Sequence, residues 1–409
     1  MTSEMRPKLR RIQASPGHWQ GQPVIVLRDP LGLVDMAVAI PRNVAPFLEL
    51  CDGTRDVATL STALELRTGL RLWPGYVEKM LTELDEALLL ENERFAQAYR
   101  ETVERFRSNS FRLPTLAGTV YPANPEGLDR TFTEYFDMAS SEAGDVPDIE
   151  QVRGLVSPHI DYNRGAAIYA EVWRRAAAAV REAEVAVILG TNHSDCEKLI
   201  AMTQQSYSTP WGVLPTASDV VDKVAAALGE EEVFAEELHH RGEHSVEIAA
   251  VWLHYLVKDK VCELVPVLCG SFHKFVAGEG QPGEDEQVTL FIDAVREATA
   301  DRRTLIVAAG DLAHMGPAFG DHYPVDGVGR ADMSVADGEL MDTIARGDAE
   351  GMFLRVKKEG DRRRICGLPP IYLALRLLGE TTGKVTGYAQ CSADQQETSL
   401  VSICGMVFI

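Results

Sequence analysis

Arg153–Gly165 reads RGLVSPHIDYNRG. A short apolar run, Gly154-Leu155-Val156, stops at Ser157-Pro158 and gives way to His159, Asp161 and Tyr162. Apolar residues that end abruptly in protonatable ones read as a buried strand delivering side chains to the edge of a sheet. In open α/β sheets that edge is where ligands bind. The pattern returns twice. VAVILGTNHS (Val185–Ser194) is a strand ending in His193, and LIVAAGDLAHMG (Leu305–Gly316) is a strand ending in Asp311 and His314. One such histidine is more often structural; three in the same local context point to one site.

Between and after these strands the pattern alternates. Helices are expected at Leu128–Ser140, Ala166–Arg181, Asp219–Leu228, His244–Leu256 and Gln287–Ala298, and a further strand at Cys262–Leu268. Such alternation predicts an α/β fold, a sheet flanked by helices on both faces. The acidic segment Ser141–Glu150 reads as a solvated loop. There is no GxGxxG and no P-loop sequence, so nothing supports nucleotide binding.

Residues 1–105 form a separate unit in this reading. PVIVLRDP (Pro23–Pro30) and DMAVAIP (Asp35–Pro41) are short strands joined by a turn around Gly32. Helices follow from Asn43 to Gly53, after Asp56, and after Trp73-Pro74-Gly75, where Val77, Leu81, Leu84 and Leu88 recur at helical spacing. A charged helix, Glu93–Arg107, leads into the large domain. A hairpin with three short helices is the plan of a small winged-helix-like α+β domain. Residues 41–100 carry ten acids against seven bases, which leaves no basic recognition helix for DNA.

Composition sets the outer limits. The chain has 409 residues, 45% of them hydrophobic, and 40 basic against 61 acidic residues give a net charge of −21. That balance disfavours nucleic acid and anionic membranes as partners. No apolar run approaches the roughly 20 residues of a transmembrane helix. The start, MTSEMRPKLRR, has no apolar segment behind its basic patch and reads as carrying no secretory signal. Seven cysteines without CxxC spacing suit a reducing cytoplasm.

Imidazole is the commonest protein metal ligand, and His159 and His193 stand about thirty residues apart, as successive strands of one sheet would place them. A third donor is needed. Asp311, His314, Glu243, His244 and Cys366 are all candidates. Cys366 lies between Arg362–Arg364 and Gly367, which begins a turn into a helix at Pro369-Pro370. Positive charge and a helix N-terminus both lower a thiol's pKa, so Cys366 is expected to be an activated thiol. The other six cysteines read as buried and inert. Glu243 reads equally as a carboxylate orienting a ligand histidine or as a helix cap. His239, His240, His254, His273 and His322 lack strand-end context and read as surface or core residues.

Taken in order, SPHIDYNRG, ILGTNHS, TPWGVLPTASD, EHSVE, AAGDLAHMGPAFG and ICGLPPIYLAL resemble the Memo family over residues 112–409. Its bacterial members include the B component of the AmmeMemoRadiSam system, and its fold is similar to that of the class III extradiol (LigB-type) dioxygenases, which use non-haem iron. The resemblance implies metal ligands at His159, His193 and Cys366, with Asp311 and His314 beside them as catalytic groups. It implies iron or copper as the metal. Implied partners are a radical-SAM protein and an AMMECR1-like protein of the same system. The dioxygenases place a carboxylate where this chain has Cys366; a thiolate favours softer ions such as Cu(I) and weakens the case for ring cleavage. "LELCDGTRDVATL" and "VEKMLTELDEALLLE" resemble the PqqD-like peptide-recognition modules, which implies a peptide or protein ligand for residues 1–105. The expected function is a redox-active metal protein of the AmmeMemoRadiSam type. The alternatives are a non-haem iron extradiol-type dioxygenase, which is a metal-dependent oxidoreductase of the extradiol dioxygenase-like superfamily, or a non-catalytic peptide-binding scaffold.

Overall fold

Leu27, Val38, Ile40, Phe47, Leu60, Leu64, Val77, Leu81 and Leu84 recur at strand and helix periods, and all are buried together in one core. They belong to the first of two units, Met1–Ser108 and Asn109–Ile409, in a computed structural model that describes residues 5–143, 151–194 and 196–409. The first unit has strands β1 (Gln13–Trp19), β2 (Gln22–Arg28) and β3 (Ala37–Pro41) in an antiparallel sheet of that order. Helices α1 (Pro46–Leu50), α2 (Val57–Thr68), α3 (Tyr76–Glu86) and α4 (Glu93–Ser108) follow. The Asp56 side chain accepts a hydrogen bond from the Thr59 N–H at the start of α2, and Gly69 ends that helix in the left-handed conformation. The expected hairpin is therefore a three-stranded sheet. The extra strand, QASPGHW, is almost wholly exposed, so it lacks the apolar alternation that marks a strand in sequence.

The second unit opens with α5 (Pro125–Ala143), and the rest of the expected acidic loop, residues 144–150, lies outside the described residues. Next come β4 (Gly154–Ser157), α6 (Tyr162–Glu182), β5 (Val185–Thr191), and the short strands β6 (Ile200–Met202), β7 (Tyr207–Thr209) and β8 (Gly212–Leu214). Helices α7 (Ser218–Leu228), α8 (Glu230–Val233) and α9 (Ser245–Val257) lead to β9 (Glu263–Cys269), α10 (His273–Val276), α11 (Glu286–Thr299), β10 (Thr304–Ala309) and β11 (His314–Met315). The chain finishes with α12 (Gly327–Ala345), α13 (Ala349–Lys358), α14 (Leu368–Leu378) and an antiparallel pair, β12 (Gly383–Ser392) and β13 (Leu400–Phe408).

The central sheet has the order β11-β13-β4-β10-β5-β9-β6, with β12 on β13. Strands β4, β10, β5 and β9 are parallel; β13 and β6 flank them antiparallel. The mixed sheet is covered on both faces. Along β5, Val185, Val187 and Leu189 enter one core with residues of α7, α11, α13 and α14, while Ala186 and Ile188 enter the other with α6 and α9. These strands look like continuous apolar runs because each side of the sheet is buried. β4 and β5 are successive strands of one sheet but are not neighbours in it. β10 lies between them, pairing with both.

Candidate metal centre

Register places the site. Ala309 of β10 pairs with Ser157 of β4 on one side and Gly190 of β5 on the other. The three strands thus end level. His159 stands two residues past Ser157, Asp311 two past Ala309, and His193 three past Gly190. A fourth contribution comes from the loop before α14. An added Cβ on Gly310 would lie 2.6 Å from the Gly367 Cα, so two glycines packed back to back bring Cys366 against the end of β10. The Thr191 hydroxyl donates to the Cys366 carbonyl at 2.9 Å and holds the same loop to β5.

Hydrogen bonds set the imidazoles. His159 Nδ1 lies 3.0 Å from the Ala309 carbonyl, which only accepts, so Nδ1 carries the proton and Nε2 faces the site. That Nε2 is 3.2 Å from Cys366 Sγ and 3.8 Å from Asp311 Oδ2. Asp311 Oδ1 also accepts the His159 backbone N–H at 2.8 Å. Burial, only partly offset by the Asp311 charge, lowers the His159 pKa to about 3, so the ring is neutral.

Glu243 does both things expected of it. Its carboxylate accepts from His193 Nδ1 (3.1 Å) and lies 3.0 Å from His244 Nδ1, and it accepts the backbone N–H groups of His193, His244 and Ser245. It orients imidazoles and caps α9 at once. Burial opposes its ionisation, but the two imidazoles outweigh that and hold its carboxyl well below the usual range. Burial likewise opposes a charge on His244, and Glu243 overcomes it, raising the His244 pKa. The His193 and His244 rings stack 4.8 Å apart, and both meet the His159 ring edge-on. Arg112 supports this corner from below. It donates to the carbonyls of His240 and Glu243 and pairs with buried Glu247, whose carboxylate also accepts from Thr115, Leu116 and Tyr121.

The donor atoms fall into two groups, each within 4.8 Å of one another: His159, His193 and His244; and His159, Asp311 and Cys366. The expected ligands His159, His193 and Cys366 are divided between them, with His159 in both. His244 was one of several open choices in sequence, and its helix-start position gave no reason to prefer it. His314 belongs to neither group. Its Nδ1 faces the carbonyls of Leu312 (3.2 Å) and Arg364 (3.1 Å), and burial lowers its pKa.

The expectation of an activated Cys366 thiol is corrected. Burial, and then the Asp311 charge, push its pKa well above the usual value. The neighbouring arginines are spent elsewhere: Arg363 pairs with Asp337 and Glu359, Arg364 with Asp321, and Arg362 lies near Glu359. Sequence neighbours in a tight loop point in different directions. Ionising this thiol therefore calls for a cation close by.

A cleft of about 220 Å³ opens beside the thiol, lined by Thr191, Asn192, His273, Asp361, Arg364 and Cys366. A larger cavity of about 410 Å³ sits at the opposite end of the strands, around Arg153 and Arg303, and contains none of the candidate groups. His239 lies 3.0 Å from the Asn192 amide, and His240 is buried between Tyr207 and the Ala201 carbonyl.

A family model described as Memo-like protein matches residues 112–407. A MEMO1 family protein of Aquifex aeolicus is 27% identical over 407 residues, covering 99% of this chain and 100% of the relative. Similar proteins of that family occur in Methanosarcina mazei, 26% identical over 68% of this chain and 91% of the relative, and in Thermococcus onnurineus, 26% identical over 73% and 99%.

Proposed function

The chain belongs to the Memo family, and on that premise we propose that it is a metal-binding, redox-active protein of the AmmeMemoRadiSam type. It works beside a radical-SAM protein and an AMMECR1-like protein. The observation that carries this reading is the convergence of imidazoles with fixed tautomers, a buried carboxylate and a half-buried thiol at one sheet edge. The residues suit a transition ion: His159 offers a neutral Nε2, and the Glu243 carboxylate fixes the orientation of the His193 ring. His159, His193 and Cys366 are the proposed ligands, and the donor set favours iron or copper. Bound there, the metal supplies a Lewis acid or an electron-transfer centre beside the 220 Å³ cleft. Asp311 anchors the His159 backbone. His314, its Nδ1 committed to carbonyls, presents Nε2 as a proton acceptor.

A second reading has its own support. Asp311 is a buried carboxylate 3.8 Å from His159 Nε2, so a His/His/carboxylate iron site and extradiol-type chemistry stay open to this chain. The first unit is proposed as the module that recruits a peptide or protein. Titrating apo-protein with Fe(II) and Cu(I) separates the readings. The first predicts about one tightly bound ion per chain and its loss in both His159→Ala and Cys366→Ala, with the fold retained. Retention of the ion in Cys366→Ala, with loss in Asp311→Asn, supports the second instead.

A further inference from the structure

His244 is left out of the ligand set that the family resemblance implies, yet it is built like a ligand. It precedes α9 but makes no side-chain cap; its ring nitrogen Nδ1 turns to Glu243 instead. The same carboxylate receives His193 Nδ1, so both rings are held parallel and offer Nε2 atoms from the same side. His159, its Nδ1 committed to Ala309, offers a third. Glu243 engages the Nδ1 of both rings, which leaves each ring a second nitrogen turned away from that carboxylate.

We propose that His159, His193 and His244 form a second, outer metal site, which takes borderline divalent ions such as Co2+ or Zn2+. The inner set proposed above, which keeps His159 and His193 and adds Cys366, takes soft Cu(I). This inference rests on the metal reading above and extends it by a residue and an ion class. The two sets differ in chemistry and in access. The outer one is all imidazole, and its His193 and His244 side chains are 38% and 36% exposed. The inner one adds a thiol and a carboxylate on the buried side, where His159 and Asp311 are 2% and 3% exposed. Imidazole suits divalent first-row ions, and thiolate selects Cu(I). His159 has one free nitrogen, so the two sets are alternatives. Three nitrogens around one such ion lie about 3.3 Å apart, and side-chain rotation of the partly exposed His193 and His244 closes the remaining distance.

The test compares Co2+ and Cu(I) binding to the full-length protein, His244→Ala and Cys366→Ser. The expected Co2+ complex of the unaltered protein shows no thiolate-to-cobalt charge-transfer band. His244→Ala weakens Co2+ by roughly tenfold or more and leaves Cu(I) within about twofold; Cys366→Ser does the reverse. A thiolate–cobalt band in the unaltered protein, or unchanged Co2+ affinity in His244→Ala, overturns the outer site while leaving the metal reading intact. Failure of the unaltered protein to bind either ion overturns both. The band is read without any variant, so a substitution that fails to fold does not remove the test.

Discussion

His314 donates its Nδ1 proton to backbone carbonyls of Leu312 and Arg364, a choice that leaves Nε2 free and keeps the ring out of both donor groups. If it moves protons beside the metal, His314→Ala keeps the ion and changes only chemistry. Metal analysis of that variant checks this; loss of the ion makes His314 a ligand. Much at this scale was legible. An apolar run ending in His159, His193 or Asp311 is a local signal, and the sheet places all three at one edge. The state of Cys366 was not legible. Its three arginine neighbours suggested a low pKa, but each guanidinium turns towards Asp337, Glu359 or Asp321, and burial dominates. Choosing between Cys366 and His244 also needed the shared hydrogen bonds of Glu243, which join residues 50 positions apart.

Strand β10 and the loop before α14 meet through Gly310 and Gly367, the contact that decides whether the thiol reaches His159. Gly310→Ala sets a Cβ 2.6 Å from backbone, where no flexible side chain can yield. The expected cost is about 1–3 kcal/mol of unfolding free energy, because a packed backbone must shift. Cu(I) affinity falls with it, whereas the all-imidazole set is spared. Denaturant titration together with Cu(I) and Co2+ titrations checks both; equal loss of the two ions would place the damage in the fold as a whole. Helices and strands of the second unit follow their apolar periods closely, as α7, α9, α11 and β10 show. Strand order does not follow from period. Nothing local in LIVAAG states that it inserts between β4 and β5, and β13, although wholly buried, carries Ser402 and Gly405 within an otherwise apolar run.

Across the whole chain, similarity to the Aquifex aeolicus relative spans 407 residues and so reaches both units. The family model covers only residues 112–407. The first unit has its own core of Leu27, Phe47, Leu60 and Leu81, which predicts that residues 1–108 fold alone. Its acidic balance predicts binding of a peptide or protein partner rather than DNA. A binding screen of residues 1–108 against pathway proteins and random duplex DNA checks this; salt-sensitive, sub-micromolar DNA binding without a protein partner contradicts it. No helix among the described residues is long and apolar enough to cross a membrane. Among the described residues, none of the seven cysteines is in a disulfide. The strand ends of the second unit are the proposed metal centre. The most direct test is the metal content of protein purified without oxygen and without added metal. The account predicts about one transition ion per chain, lost when His159 is replaced by Ala; a full-length, folded protein that carries no ion and takes up neither Fe(II) nor Cu(I) would contradict it.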